Sequence, residues 1–256
     1  MVSRQANTLL RASVNSKMGH FRPVGHGLAL LACALCCSCG GGGTASPSML
    51  QIMPLGDSIT AGTGMVPGGY REMFDQDLYP KYRFRFVGTL SYESDGMRSP
   101  WHEGHSGWST LDFVGGTVVA GRPKFPASAF VAKAKPDVIV FHLGTNDGVE
   151  EPEMEKRYND CLTAIYSVAP KVKIVWALCL WKKGGNQVRL ITATHDAANA
   201  VAKVWQAKGK QIVVVDPSVG FDPVTMTEDG THPTSQGYRL LTDAIEKGFE
   251  QIMTNP

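Results

Sequence analysis

One segment restricts the fold more than any other. Residues 137 to 143 read Asp-Val-Ile-Val-Phe-His-Leu, and the chain then breaks at once into Gly144, Thr145, Asn146 and Asp147. Such a nearly continuous apolar run is typical of a strand that is buried on both faces of a parallel sheet. Because such a strand needs helices above and below it, the segment predicts an α/β protein.

The rest of the chain alternates strand patterns with helical patterns. Short apolar or alternating runs predict further strands at residues 50–55, 82–87, 173–178 and 212–215. A period of 3.6 predicts helices at residues 68–79, 127–135, 153–168 and 187–208, and a last helix near the end of the chain. Right-handed crossovers between these strands give a three-layer αβα sandwich with about five parallel strands. The polar stretch 91–108 is predicted to be a loop, and loops of this length are usually functional.

The N-terminal region differs in composition from the remainder. Its first 43 residues carry Arg4, Arg11, Lys17 and Arg22 but no acid, ahead of the apolar stretch 27–37. This pattern predicts an export signal over residues 1–39, a Gly/Ser tether over 40–48 and one globular domain over 49–256. The apolar stretch is too short to span a bilayer as a helix. Without these four N-terminal residues the chain has 21 basic and 23 acidic residues. This balance argues against a nucleic-acid partner.

Cysteines cluster at the end of the apolar stretch. Cys33, Cys36, Cys37 and Cys39 precede the tether, an arrangement that resembles a bacterial lipoprotein signal. Two outcomes stay open: membrane attachment through one lipidated cysteine, or simple cleavage and secretion. The two cysteines of the globular part, 161 and 179, form either a disulfide or two buried thiols.

Polar residues that follow the strands supply a candidate catalytic set. Ser58 comes after the first strand in Gly-Asp-Ser, at the carboxyl edge where open α/β sheets build their sites. A serine nucleophile needs a base and a group that orients the base. Asp229 and His232 lie three residues apart, with Pro233 holding His232 at a helix entrance. We therefore predict Ser58 as nucleophile, His232 as base and Asp229 as the orienting carboxylate.

A developing oxyanion needs fixed donors, and no metal or other cofactor is required for this chemistry. The predicted donors are the N–H groups of Ser58 and Gly107 and the side-chain amide of Asn146. A zinc interpretation of His102, Glu103 and His105 fails, since the metalloprotease pattern needs its second histidine at position 106, which is serine.

Taken together, these blocks resemble the SGNH/GDSL hydrolase superfamily. The matching segments are Gly56-Asp57-Ser58, Gly107, residues 144–147 and residues 229–232. The resemblance covers residues 50 to 252 and implies a flavodoxin-like esterase with the site residues already named.

A narrower resemblance is to the acetyl xylan esterases of carbohydrate esterase family 3. It rests on residues 53–60, Gly69-Tyr70-Arg71, Phe86-Val87-Gly88 and residues 102–108. It implies an acetyl ester on a plant polysaccharide as substrate. Tyr70, Trp101 and Trp108 are the expected sugar contacts, because an exposed aromatic ring suits a sugar face.

The sequence therefore favours an exported serine esterase that acts on acetylated carbohydrate or another small ester. Two alternatives remain at this stage. The first keeps the chemistry and changes the substrate to a lysophospholipid, thioester or other lipid ester. The second is a non-catalytic carbohydrate-binding module that has kept the fold.

Overall fold

The computed structural model describes residues 49–64, 66–92, 96–115 and 126–254. The predicted export signal and tether lie outside these residues and stay predictions. Among the described residues no helix combines the length and the apolar character needed to cross a membrane.

Strands and helices alternate as the periodicity predicts. The strands are β1 (Leu50–Gly56), β2 (Phe84–Phe86), β3 (Leu90–Ser91), β4 (Trp101–Gly104), β5 (Val138–His142), β6 (Lys173–Ala177) and β7 (Ile212–Val215). The helices are α1 (Ser58–Ala61), α2 (Tyr70–Leu78), α3 (Thr110–Phe113), α4 (Ala127–Ala134), α5 (Glu151–Val168), α6 (Gln187–Ala207) and α7 (Ser235–Thr254). All five predicted strands and all five predicted helices are present, with ends that differ by a few residues.

The sheet has the order β3-β4-β1-β5-β6-β7, with β2 also paired to β1. Both β2 and β4 pair in parallel with β1 on the edge opposite β5, β2 along its first half and β4 along its second. They therefore occupy the same position in the sheet. The parallel part of the sheet then has five positions, in the order β2/β4, β1, β5, β6 and β7, which is the flavodoxin-like order. The three-layer αβα prediction is confirmed.

Alternate residues of the central strand face two separate apolar clusters. Ile139 and Phe141 pack with α4, α5 and α6, whereas Val138 and Val140 pack with α2 and α7. Burying one such side chain contributes about 1.5–3 kcal/mol. This two-sided packing explains why the run around β5 carries so few polar residues.

The predicted loop 91–108 contains more structure than expected. β4 occupies its second half and pairs with β1 at Leu55 and Gly56. Its sequence, Trp-His-Glu-Gly, has no strand pattern, so the tertiary contact with β1 fixes its conformation. The segment after it forms α3, which Ser109 opens with a capping box.

The two cysteines of the described chain are both free and buried. Cys161 Sγ lies 3.8 Å from the carbonyl oxygen of Thr110, and Cys179 Sγ lies 3.6 Å from that of Leu143. The structure thus decides the open alternative in favour of two buried thiols.

Candidate active site

The turn between β1 and α1 presents Ser58 at the carboxyl edge of the sheet. Asp57 caps α1, because its Oδ1 accepts the backbone N–H of Ile59 at 2.9 Å. Position 56 has no room for a side chain, because a Cβ there would lie 2.0 Å from the carbonyl oxygen of His142. The turn therefore keeps β1 and β5 in close contact directly below Ser58.

Ser58, His232 and Asp229 form a continuous chain of hydrogen bonds. Ser58 Oγ lies 2.9 Å from His232 Nε2, and His232 Nδ1 lies 2.7 Å from Asp229 Oδ2. The ring thus places one nitrogen on the hydroxyl and the other on the carboxylate. This arrangement allows the imidazole to take the serine proton and to return it to a leaving group.

The loop before α7 holds the acid and the base in place. Asp229 Oδ1 accepts the backbone N–H groups of His232 at 2.8 Å and of Thr231 at 3.0 Å. These backbone bonds, followed by the contact with the His232 ring, lower the pKa of Asp229 to about 2. The carboxylate is therefore ionised throughout the neutral range and favours the tautomer with its proton on Nδ1.

The expected oxyanion donors lie on loops that are tied to each other. Asn146 Nδ2 donates to the carbonyl oxygen of Trp108 at 2.9 Å, which fixes the side chain beside the loop that carries Gly107. Gly107 has a φ of 75°, a left-handed conformation that favours glycine. That loop is also joined to β1, since His105 N–H donates to the carbonyl oxygen of Gly56 at 2.9 Å.

Asp147 connects the loop that carries Asn146 to the first residue of α3. Its carboxylate accepts the backbone N–H of Thr110 at 3.0 Å and also the hydroxyl of that residue. Arg157 on α5 donates to the same carboxylate at 3.0 Å. Because the Asp147 side chain is fully buried, this contact sets the position of Asn146 relative to the start of α3.

Two of the three expected sugar contacts are buried, and for these the structure corrects the expectation. Tyr70 packs in the core against α7 and donates to Thr60 Oγ1 at 3.4 Å. Trp108 is buried and stacks on the ring of His105 with centroids 3.8 Å apart. Trp101, by contrast, is 45% exposed. Sequence patterning does not reveal which aromatic side chains of the 91–108 stretch are exposed, because their burial depends on contacts with α4 and β1.

In the sequence, Glu103 and His105 belong to the 102–108 motif and to the rejected zinc site. Buried Glu103 accepts hydrogen bonds from Thr89 and lies 2.9 Å from His105 Nε2. The His105 ring lies in turn between Trp108 and Phe130. These contacts brace the segment that leads to Gly107. In the part of the chain that the structure describes, no group of three residues is placed to hold a metal ion.

Arg71 is a second supporting residue, which sequence reasoning named only within the Gly69-Tyr70-Arg71 motif. Its buried guanidinium donates to the carbonyl oxygens of Thr60 at 2.9 Å, Ala61 at 3.0 Å and Pro100 at 3.1 Å. Burial lowers its pKa to about 10, so the group stays charged at neutral pH. Arg71 thus joins the end of the nucleophile helix to the segment that enters β4. The Gly-Tyr-Arg motif is the signal that marked it in the sequence.

A model of the GDSL-like lipase/acylhydrolase family matches residues 55–240, a span that contains every residue of the triad. The chain belongs to this family. This membership supports the carboxylic ester hydrolase that the sequence predicted.

A curated relative agrees with this assignment. A multidomain esterase of Ruminococcus flavefaciens is 26% identical in an alignment of 215 residues that covers 75% of this chain. The match spans only 27% of that protein, so the chain spans about a quarter of the length of the relative.

Solved structures share the fold of this GDSL-family hydrolase. A mutant acetyl esterase with an acetate ion is 25% identical, with a TM-score of 0.64 over 81% of this chain and 100% of that one. A carbohydrate esterase family 3 protein from Talaromyces cellulolyticus is 24% identical, with a TM-score of 0.67 over 81% and 100% of the two chains. A family 3 carbohydrate esterase of Clostridium thermocellum is 22% identical, with a TM-score of 0.68 over 81% and 98%.

Proposed function

We propose that this esterase removes acetyl groups from carbohydrate through an acyl-enzyme intermediate. The observation that carries the mechanism is the unbroken path from Ser58 Oγ through the His232 ring to Asp229, with contacts of 2.9 and 2.7 Å.

In the first half-reaction Ser58 Oγ attacks the carbonyl carbon while its proton passes to His232 Nε2. The tetrahedral intermediate then collapses. The bond to the sugar oxygen breaks, and His232 returns the proton to that oxygen, so that a free sugar hydroxyl leaves and an acetyl-serine remains. In the second half-reaction a water molecule loses a proton to His232 and attacks the carbonyl carbon of the acetyl-serine. The bond from that carbon to Ser58 Oγ then breaks, His232 returns the proton to Oγ, and acetic acid leaves and ionises to acetate.

The oxyanion donors in this proposal are the N–H groups of Ser58 and Gly107 and the amide of Asn146. An amide nitrogen carries two hydrogens, and the contact with Trp108 uses one of them. That contact supports the assignment because it orients the amide before substrate arrives. Such preorganised donors stabilise the transition state at no further cost in reorganisation.

The acetyl-carbohydrate substrate is supported by the proteins that the chain resembles. Their names include an acetyl esterase and two family 3 carbohydrate esterases. The family name also includes lipases, which favours a lipid ester as the second candidate substrate. A series of esters with acyl chains from C2 to C12 distinguishes the two, since an acetyl esterase loses activity as the chain grows.

The test of the mechanism is Ser58→Ala, with Ser167→Ala on the outer face of α5 as a matched control. We expect the first variant to fold as the wild type does and to lose turnover of 4-nitrophenyl acetate, while the control keeps it. Mass spectrometry of wild-type protein quenched during turnover should show one added acetyl group on the peptide that contains Ser58. Turnover by Ser58→Ala would refute the mechanism. Glycan binding by a wild-type protein that hydrolyses no ester would instead indicate a non-catalytic module.

We further propose that the protein is exported, either secreted or held at a membrane by a lipidated cysteine. The support is the basic and apolar N-terminal pattern with its four clustered cysteines. Mass spectrometry of the mature N-terminus tests the proposal. An N-terminal Met1 on the mature protein would contradict it.

A further inference from the structure

A cleft of about 350 Å³ lies between the turn after α1 and β3, on the α1 side of β4. One wall is the turn after α1, and the other consists of β3 with Tyr92 and of His102 and Ser106. We call it the Tyr92 cleft. Its two walls meet where Thr63 Oγ1 and Ser106 Oγ form a hydrogen bond of 3.0 Å.

Both walls are connected directly to the proposed catalytic groups. The backbone N–H of Thr63 donates to the carbonyl oxygen of Ser58 at 3.1 Å. Ser106 immediately precedes Gly107, one of the proposed oxyanion donors. One wall of the Tyr92 cleft is thus a single hydrogen bond from Ser58, and the other is a single residue from Gly107.

The chemistry of the described lining suits a neutral ligand with many hydroxyl groups. Thr63 and Ser106 are exposed there, whereas Ser91 pairs with Trp101 and directs its side chain to the opposite face. Among the described lining residues no acidic or basic side chain is present apart from His102. The backbone N–H of Gly104 donates to His102 Nδ1 at 3.0 Å, and burial lowers the pKa of His102 to about 3. His102 is thus uncharged at neutral pH.

Tyr92 supplies the aromatic surface of this cleft. The side chain is 49% exposed, while its backbone N–H is fixed by the carbonyl oxygen of Pro100 at 3.3 Å. An exposed tyrosine offers a rigid apolar face together with a polar hydroxyl. A sugar ring needs both, because its C–H groups form an apolar face and its hydroxyls form a polar rim.

The exposed Trp101 lies in a different cleft. It begins β4, three residues before Gly104, which pairs with Gly56 at the carboxyl edge. At a rise of about 3.3 Å per residue, Trp101 lies about 10 Å from that edge. Successive side chains of a strand point to opposite faces, so Trp101 and His102 belong to opposite sides of β4. The Trp101 cleft is lined instead by Arg85 and by Lys133 of α4.

We propose that the sugar residue bearing the acetyl ester occupies the Tyr92 cleft, with the Tyr92 ring as its platform, which makes Tyr92 a residue that determines specificity. This inference rests on the proposed function, since it concerns the leaving group of the same reaction. It moves the expected sugar contact from Tyr70, Trp101 and Trp108 to a tyrosine that the sequence did not indicate.

The test compares an acetylated xylo-oligosaccharide with ethyl acetate, whose leaving group is too small to reach the ring. For Tyr92→Ala we expect kcat/KM with the oligosaccharide to fall about tenfold more than kcat/KM with ethyl acetate, mainly through KM. Tyr92→Phe keeps the ring and should recover most of the loss. Val204→Ala, an exposed position on α6, serves as the surface control.

Trp101→Ala completes the design. Equal losses on both substrates for Tyr92→Ala, or a loss specific to the oligosaccharide for Trp101→Ala alone, would overturn the proposal. A wild type that hydrolyses ethyl acetate but shows no dependence on Tyr92 refutes only this inference. A wild type that hydrolyses neither ester refutes the proposed function itself.

Discussion

Replacing Asp229 with asparagine tests how the imidazole is oriented. The Asp229 carboxylate contacts the His232 ring through Oδ2 and two backbone N–H groups through Oδ1. An asparagine keeps the two backbone bonds through its oxygen, which leaves its amide nitrogen facing His232 Nδ1. The amide then donates to Nδ1, and the ring proton must sit on Nε2.

That tautomer blocks the reaction, because Nε2 is the atom that must accept the proton of Ser58. In Ser-His-Asp triads the wrong tautomer lowers kcat by about 10⁴. The Asp229 side chain is 57% exposed, so solvent competes for the same contact. We therefore expect a decrease of about 10³ to 10⁴ in kcat, which corresponds to about 4 to 5.5 kcal/mol in the barrier.

The assay is kcat for 4-nitrophenyl acetate at pH 8, together with urea unfolding. Since the two backbone bonds persist, the free energy of unfolding of Asp229→Asn should stay within about 1 kcal/mol of the wild type. Asp222→Asn is the matched control, because Asp222 caps another loop through the backbone N–H of Val224. It should retain wild-type kcat.

The pH dependence separates this explanation from a loss of charge alone. The pKa of Asp229 is lowered to about 2 in the folded protein, so the stabilisation by its ionised form is present above about pH 4 and is lost as the pH falls toward 2. Asp229 hence stays ionised throughout an assay from pH 5 to 9, and the defect of Asp229→Asn should persist over that whole range. A variant that folds and retains more than a tenth of wild-type kcat would refute the tautomer argument.

Three further predictions concern the surrounding residues. Asn146→Ala should lower kcat for 4-nitrophenyl acetate by about 10² to 10³ with little change in KM, and a rise in KM alone would contradict an oxyanion role. Asp147→Asn removes the buried carboxylate of its pair with the partly buried Arg157, which keeps only Glu153, so urea unfolding should show a loss of about 3 kcal/mol. Burial raises the pKa of Glu246 to about 7, so its ionisation destabilises the fold progressively as the pH rises from about 4.5 to 7. Glu246→Gln should therefore raise Tm relative to the wild type more at pH 8 than at pH 4.5, and an equal difference at both would count against this account.

The sequence indicated the layers of the fold because their signals are local. The segment 137–143 is almost entirely apolar, and the neighbouring strands of the sheet have similar apolar segments. Each strand and helix can thus be identified without knowing its partners. β4 is the exception, since Trp-His-Glu-Gly forms a strand only through its contact with β1.

The chemical groups of the candidate site were equally accessible to sequence reasoning. Ser58 is recognisable by residue type and by its place after a strand, and Asp229 and His232 by their spacing before the last helix. The structure then brings His232 within 3 Å of the sequence-remote Ser58. What residue type cannot reveal is exposure. Tyr70 and Trp108 are as aromatic as Tyr92, yet the first two are buried and the third is half exposed.

The sequence by itself therefore determined the architecture and the set of reactive groups, because periodicity and residue chemistry are properties of short segments. Only the tertiary structure decided which face of β4 carries the Tyr92 cleft, and that Arg71 and Asp147 hold the segments next to the candidate catalytic residues. Burial and hydrogen bonding of those side chains depend on segments far apart in the chain, such as Arg71 with Pro100 and Asp147 with Thr110. No local pattern specifies such pairs.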